Sequence, residues 1–284
     1  MSVLYRKRRL INYAAFALAW MSMFVGVTFL AMILWTLVQN GWEGLIRSST
    51  WTEMTPPPGQ TGGLKNAIVG SLILTLTATA LGTPIGILAG TFLSEFGRKS
   101  KLASTVRFVN GILLSSPSVV VGFFAYALIV VSTRHFSGWA GIFALCVLFV
   151  PVVISSTENM LRMVPNTLRE AAAALGAPQW KIVTLVIYRS AKSGLLTGIL
   201  LAVARISGET APLLFTVLNN QFWSTTLSKP MPNLPVTVFQ FAMSPYEDWM
   251  QLAWAGALII TLGVLGLNIF VRIVLRPKLR GSRF

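Results

Sequence analysis

Arg205 and Glu209 are the residues of this 284-residue chain best placed to do chemistry, because they lie inside a stretch that is otherwise apolar. A charge held at mid-bilayer costs about 2.5–3.5 kcal/mol on insertion scales, so one that persists there points to function. The guanidinium of Arg205 offers a planar fork that can grip two oxygens of an oxyanion. A carboxylate accepts hydrogen bonds but donates none, so Glu209 favours an anion that still carries a proton over a fully ionised one. Spaced by four, the two residues are expected to share a helix face and partly neutralise each other, and a register-fixing ion pair is their alternative role. Ser207 and Thr210, in the same string Arg205-Ile206-Ser207-Gly208-Glu209-Thr210-Ala211-Pro212, add hydroxyls. Pro212 withholds an N–H from the carbonyl of Gly208, and Gly208 itself weakens a helix, so the string predicts a bend beside the charges. Irregular backbone at membrane depth is tolerated where protein buries it or where it lines a wet cavity.

A second polar string, Ser115-Ser116-Pro117-Ser118, interrupts another apolar stretch. The hydroxyls of Ser115, Ser116 and Ser118 can donate to an anion in transit or satisfy the backbone of the kink themselves. Other chemistries find little support. His135 and Cys146 are each the sole residue of their type, which rules out a multi-histidine metal site and an internal disulfide. No Gly-rich loop ending in Gly-Lys-Ser/Thr occurs, so ATP hydrolysis would have to come from a partner and the chain itself needs no cofactor. An intramembrane enzyme would require a nucleophile and base, or a metal cluster, and the intramembrane titratable set is essentially Arg205 and Glu209.

The elements that must hold these strings are membrane spans. Apolar residues make up 54% of the chain and charged ones 11%, with a mean hydropathy of +0.70; an average soluble domain is about 25% charged. Apolar stretches run over about Ala14 to Val38, Ile68 to Leu93, Val106 to Val131, Gly138 to Ile154, Gly194 to Leu218 and Leu252 to Leu275. A span takes about 20 residues, so an all-α polytopic membrane protein with six transmembrane helices is expected. Gly82, Gly86 and Gly90, and likewise Gly194 and Gly198, fall at every fourth position and predict faces for close helix packing. The net charge of +15 raises nucleic-acid binding, but the basic residues fall in alternate loops, so no nucleic-acid partner is expected. Eighteen of the 23 Lys and Arg residues flank one side of the six stretches, against Arg47, Lys65, Arg134 and Lys229 on the other. The positive-inside rule then places both termini in the cytoplasm. Arg6-Lys7-Arg8-Arg9 precedes an apolar run too long for a signal-peptide core, so the first stretch is expected to remain as an uncleaved span.

Between the fourth and fifth stretches lies Pro165-Asn166-Thr167-Leu168-Arg169-Glu170-Ala171-Ala172-Ala173-Ala174-Leu175-Gly176-Ala177-Pro178. Thr167 with Glu170 three residues on predicts a capping box. Gly176 suits the left-handed position after a helix end, and Pro178 the first turn of a second helix. The pattern Glu170-Ala171-Ala172, three residues, then Gly176 resembles the Glu-Ala-Ala loop of type I ABC-importer permeases, the MetI-like fold; the Ile-x-Leu-Pro that follows it in that family is replaced by Val186-Ile187-Tyr188-Arg189. The resemblance implies that Thr167, Glu170, Ala171, Ala172 and Gly176 belong to a coupling loop that docks on an ATPase subunit.

The string from Arg205 to Thr216, followed by Asn219-Asn220-Gln221-Phe222-Trp223 and Asn233-Leu234-Pro235-Val236-Thr237, is similar to the phosphate branch of that family. The resemblance runs from about Gly62 to Leu275. It implies an inner-membrane machine that imports inorganic phosphate, made of this chain, a homologous second permease, two ATPase subunits that bind the ATP, and a periplasmic phosphate-binding protein. Permeation of another oxyanion, such as sulfate or molybdate, is the runner-up. Thr55-Pro56-Pro57-Pro58-Gly59 marks a stiff linker. Residues 1–62 are accordingly expected to form a peripheral basic segment, first helix and linker, residues 63–276 the permease domain, and residues 277–284 a basic tail.

Overall fold

A computed structural model describes residues 3–97 and 100–274, and every regular element among them is helical. In chain order these are α1 (Val3–Ile46), α2 (Ser48–Thr52), α3 (Lys65–Phe96), α4 (Lys101–Ser115), α5 (Ser118–Thr133), α6 (Gly138–Arg162), α7 (Asn166–Ala174), α8 (Gln179–Ser207), α9 (Ala211–Thr216), α10 (Leu234–Ala242) and α11 (Glu247–Val274). The helices α1, α3, α6, α8 and α11 are each long and apolar enough to cross a membrane. The sixth crossing is broken: α4 and α5 meet at a bend of 107° around Ser116 and Pro117. The pair still traverses the bundle, because Asn110 of α4 bonds Ser155 near the C-terminal end of α6, whereas Phe124 of α5 packs against Phe143 near its N-terminal end.

The centre of the molecule is α6. In its most apolar stretch 61% of residues are buried, against 22% in α3 and 28% in α8 and α11. Glycines bring its neighbours close. A Cβ on Gly82, Gly86 or Gly90 of α3 would stand 2.6 Å from a side-chain carbon of Phe149, Val153 or Thr157 respectively. On the other flank, Gly194 of α8 faces Met160, and a Cβ on Gly198 would collide with the Ser156 hydroxyl. Both glycine repeats are thus packing faces, and both pack on the same helix. The core that results joins Leu74, Leu145, Phe149, Val153, Ala202 and Ile206.

The long α1 stands off this core. No residue of its most apolar stretch is buried, and it touches α11 through Gly41 and Gly44, which lie against Trp254, Leu258 and Ala255. At the same end of the bundle a buried polar network ties the loops down. Asn66 accepts from the Thr55 amide and donates to Thr55 Oγ1 and to the Gln221 carbonyl. Asn233 caps α10 by accepting from the Val236 amide, and donates to the carbonyl of Leu218, which sits at a left-handed φ of 60°.

Two expectations need correction. The fifth span runs from Gln179 to Ser207 rather than from Gly194 to Leu218. Tyr188, Arg189 and Lys192 lower the hydropathy of its first half without stopping the helix, since long basic side chains can carry their charge outward along an apolar surface. Pro178 is the residue before the second loop helix rather than part of its first turn. The expected tail, residues 277–284, lies outside the described residues, as do Arg98 and Lys99.

Overpacking a full core costs about 1–3 kcal/mol, occasionally more. Gly86→Leu should therefore lower the thermal aggregation midpoint of the detergent-solubilised protein by several degrees. Gly26→Leu, at a position with nothing within 4 Å, should leave it unchanged.

Candidate functional site

The α8 helix stops at Ser207, and Gly208 leaves the helical region with φ −104° and ψ 4°. The chain resumes helical form at Ala211, with Pro212 in the first turn of α9. Gly and Pro therefore make a full break where the sequence predicted a bend. The break separates the two charges. Arg205 lies exposed in the last turn of α8, and half-buried Glu209 lies beyond its end. Among the described residues neither makes an ion pair, so the expected neutralisation across one helix face does not occur; Gly208 removes the shared face that a spacing of four requires. Ser207 donates to the carbonyl of Val203, and Thr210 makes a long contact of 3.5 Å to the carbonyl of Gly208.

The other polar string sits nearby in the bundle. Gly122 of α5 lies against α9, where a Cβ would stand 2.8 Å from the Cα of Pro212, and Phe123 stacks on Phe215 with ring centroids 4.2 Å apart. Ser118 is one turn before Gly122, and Thr210 is two residues before Pro212. The two breaks thus flank one contact. Ser115 and Ser116 both donate to the carbonyl of Ile112, at 3.0 and 2.8 Å, so in this structure they satisfy the end of α4. Ser118 opens α5, whose start has no side-chain cap; the Val120 and Val121 amides bond the Pro117 carbonyl, and those of Ser118 and Val119 are the first-turn donors left over.

The loop helix α7 begins after Pro165, two residues earlier than a capping box at Thr167 and Glu170 requires, and no side chain caps it. Glu170 and Thr167 are instead exposed, as is Ala171, while Ala172 is half-buried. The organising residue is one that sequence reasoning passed over. Arg169 donates to Glu95 Oε1 at 2.8 Å and Oε2 at 3.1 Å, and to the carbonyls of Leu161 and Val164. This anchor fixes where α7 sits, while its first amides remain without a side-chain cap. Its other end closes as expected: Gly176 takes φ 77°, its amide bonds the Ala173 carbonyl, and the Ala177 amide bonds that of Ala172. This is a Schellman turn.

Glu95 lies in a π-helical turn, Phe92–Phe96, that ends α3. The same turn holds Arg107 of α4, which donates to the carbonyl of Leu93 at 2.8 Å and to Glu158 of α6 at 2.7 Å. Glu158 is buried and also pairs with Arg162 at 2.6 Å. Glu95, Arg107 and Glu158 escaped the sequence reading because each stands at the end of an apolar stretch, where a charge is ordinary. Only the partner across the bundle gives it meaning. A cleft of about 410 Å³ opens beside this cluster, between the end of α3, α7 and the start of α8, with Glu95, Arg169 and Glu170 on its wall.

Residues 82–280 match the family described as the binding-protein-dependent transport system inner membrane component. The chain belongs to this permease family. It is 54% identical over 271 residues to the phosphate transport system permease protein PstA of Pasteurella multocida, covering 95% of this chain and 96% of that protein. To the protein of the same name from Yersinia pestis it is 56% identical over 272 residues, 95% and 92% of the two chains. Among solved structures, a bacterial ABC transporter that imports the polysaccharide alginate has a chain similar at TM-score 0.61 and 14% identity, covering 98% of this chain and all of that one. A chain of the methionine transporter MetNI is similar at TM-score 0.58 and 19% identity, over 86% and 96%. These likenesses show the type I ABC-importer permease fold.

In this permease the family match starts at Gly82, inside α3, and so takes in α4 to α11 but not the outlying α1. It includes both helix breaks and the loop helix. Around the loop, Met163, Leu168, Leu175 and Trp180 are 75%, 42%, 88% and 63% exposed. Apolar groups crowded onto a connecting loop form a patch of the kind that a protein partner or a membrane surface covers. Because Arg169 is the anchor of α7, Arg169→Gln should raise amide hydrogen exchange across residues 166–177 by about tenfold, and leave exchange in the middle of α6 unchanged.

Proposed function

We propose that this chain is a permease subunit of an ATP-driven importer of inorganic phosphate. The identity of more than half of its residues to phosphate transport system permeases, over 95% of its length, carries this reading. The chemistry of the site agrees with it. Arg205 supplies a bidentate cation beside a broken helix, the uncapped start of α5 supplies amide donors, and Ser118 and Thr210 supply hydroxyls on either side of the Gly122–Pro212 contact. Glu209 selects for an anion that retains a proton, hence hydrogen phosphate over sulfate. Ser115, Ser116 and Ser207 reach the same path when their hydroxyls rotate away from the carbonyls they now satisfy.

The machine around the chain comprises a homologous second permease, two ATPase subunits that bind ATP, and a periplasmic phosphate-binding protein. The distribution of Lys and Arg supports a cytoplasmic side of the inner membrane for both termini and α7. There the exposed Leu168, Leu175 and Trp180 meet an ATPase subunit, and the Glu170 to Gly176 helix passes its movement to the spans.

Labelled-phosphate uptake by cells that lack this subunit tests the reading. The wild-type chain restores uptake. Arg205→Gln, in a complex that still assembles, lowers it about 10- to 100-fold, as expected for loss of a charged hydrogen bond worth about 1.5–3 kcal/mol. Full uptake by the assembled variant would remove Arg205 from the path. Glu209→Gln has a different signature: excess sulfate, without effect on the wild type, should now compete with phosphate, and unchanged competition would overturn the role given to Glu209.

A further inference from the structure

The breaks that flank the Gly122–Pro212 contact are joined to the loop helix by a second route, separate from the direct covalent path through α8. It starts at Arg169, which fixes α7 to Glu95 in the π-helical turn ending α3. Arg107 grips that same turn, since its Nη2 donates to the Leu93 carbonyl at 2.8 Å and Leu93 is fully buried. Its Nε meanwhile donates to buried Glu158 of α6 at 2.7 Å. One guanidinium therefore ties α4 to both α3 and α6. Beyond it, α4 ends in the 107° break, α5 leads on to Gly122, and Gly122 lies against Pro212, three residues after Glu209.

We propose that Arg107 is a positioning residue for transport: it transmits movement of the loop helix to α4 and α5, and through them to the Arg205/Glu209 break. The inference rests on the phosphate-importer reading above. Its physical basis is that a planar fork with several donors in fixed directions can hold two partners at once, and that the chain beyond it has a hinge. Ser116 and Pro117 leave α4 and α5 without a continuous helical ladder, so α4 swings as a unit when the turn at Phe92–Phe96 moves. Arg162 separates this role from simple neutralisation of Glu158. It pairs with the same carboxylate at 2.6 Å, but lies on α6 itself, four residues away, and among the described residues ties no other helix to it.

The test uses the complete importer in proteoliposomes, with its ATPase subunits and phosphate-loaded binding protein, and measures ATP hydrolysed per labelled phosphate accumulated. Arg107→Gln should keep basal ATP hydrolysis while the ATP-to-phosphate ratio rises at least tenfold, and Arg107→Lys should recover part of the coupling. Arg162→Gln should hold the wild-type ratio. A wild-type ratio in assembled Arg107→Gln, or equal uncoupling by Arg162→Gln, overturns the proposal. Failure of the wild-type complex to accumulate phosphate would instead overturn the substrate reading. Should Arg107→Gln not assemble, a cross-link decides: Asn110→Cys with Ser155→Cys, in a Cys146→Ala background, replaces a pair whose side chains are 2.8 Å apart. Oxidation should stop transport and reductant should restore it, whereas full transport by the cross-linked protein shows that α4 does not move against α6 and overturns the proposal.

Discussion

Close packing of α3 and α8 on opposite flanks of α6 is the constraint on which the other arrangements depend. In a bilayer the lipid tails are as apolar as the side chains, so helices gain little from hiding hydrophobic surface and associate through contact and shape. Glycine provides that contact here. At Gly82, Gly86, Gly90, Gly194 and Gly198 the neighbouring backbone comes near enough that a Cβ would overlap an α6 side chain. Five positions on two helices thereby set the register of the bundle, and that register fixes where the two broken helices meet.

With the bundle clasped in this way, its ends can be irregular. Backbone that leaves the helix at membrane depth must find partners inside the protein. Ser115 and Ser116 supply them at the end of α4, and Ser207 bonds back to Val203 in the last turn of α8. Buried Asn66 and Asn233 likewise stitch the loops to α3 and α10. Ser115, Ser116 and Ser207 therefore have resting partners, and a carbonyl that gives one up must be met by another donor while that hydroxyl is turned away.

The six apolar stretches, the two glycine faces and the break near Pro212 were legible in the sequence because each depends on residues close together in the chain. The start of the fifth span was not. Its hydropathy is diluted by Arg189 and Lys192, yet Gln179 to Ser207 is a continuous helix, since no Pro interrupts it and the π-helical residues Ile182–Ile187 pack beneath the loop. The capping box was misread for a similar reason. Thr167 and Glu170 fit a local rule, but Arg169 pairs with Glu95 on another helix, 74 residues away in sequence, and that charge-assisted fork, holding a carboxylate and two carbonyls, positions α7 more strongly than a local cap.

That contrast between paired and unpaired charge separates the two ends of the permease. Glu95 and Glu158 are at the loop end, largely buried, and each is held by at least one arginine. A carboxylate buried in this way is costly to expose alone, because removing its partner leaves an uncompensated charge in a medium that solvates it poorly. Such pairs keep the helices that carry them in contact. Arg205 has no ion-pair partner among the described residues, and it stands where α8 ends and the backbone opens. In the role proposed for it, Arg205 is met by an anion that arrives and departs, which a fixed carboxylate at the same place would prevent. The break at Gly208 serves that end, because by ending the helix it keeps Glu209 from becoming the permanent partner that its spacing of four from Arg205 would otherwise make it.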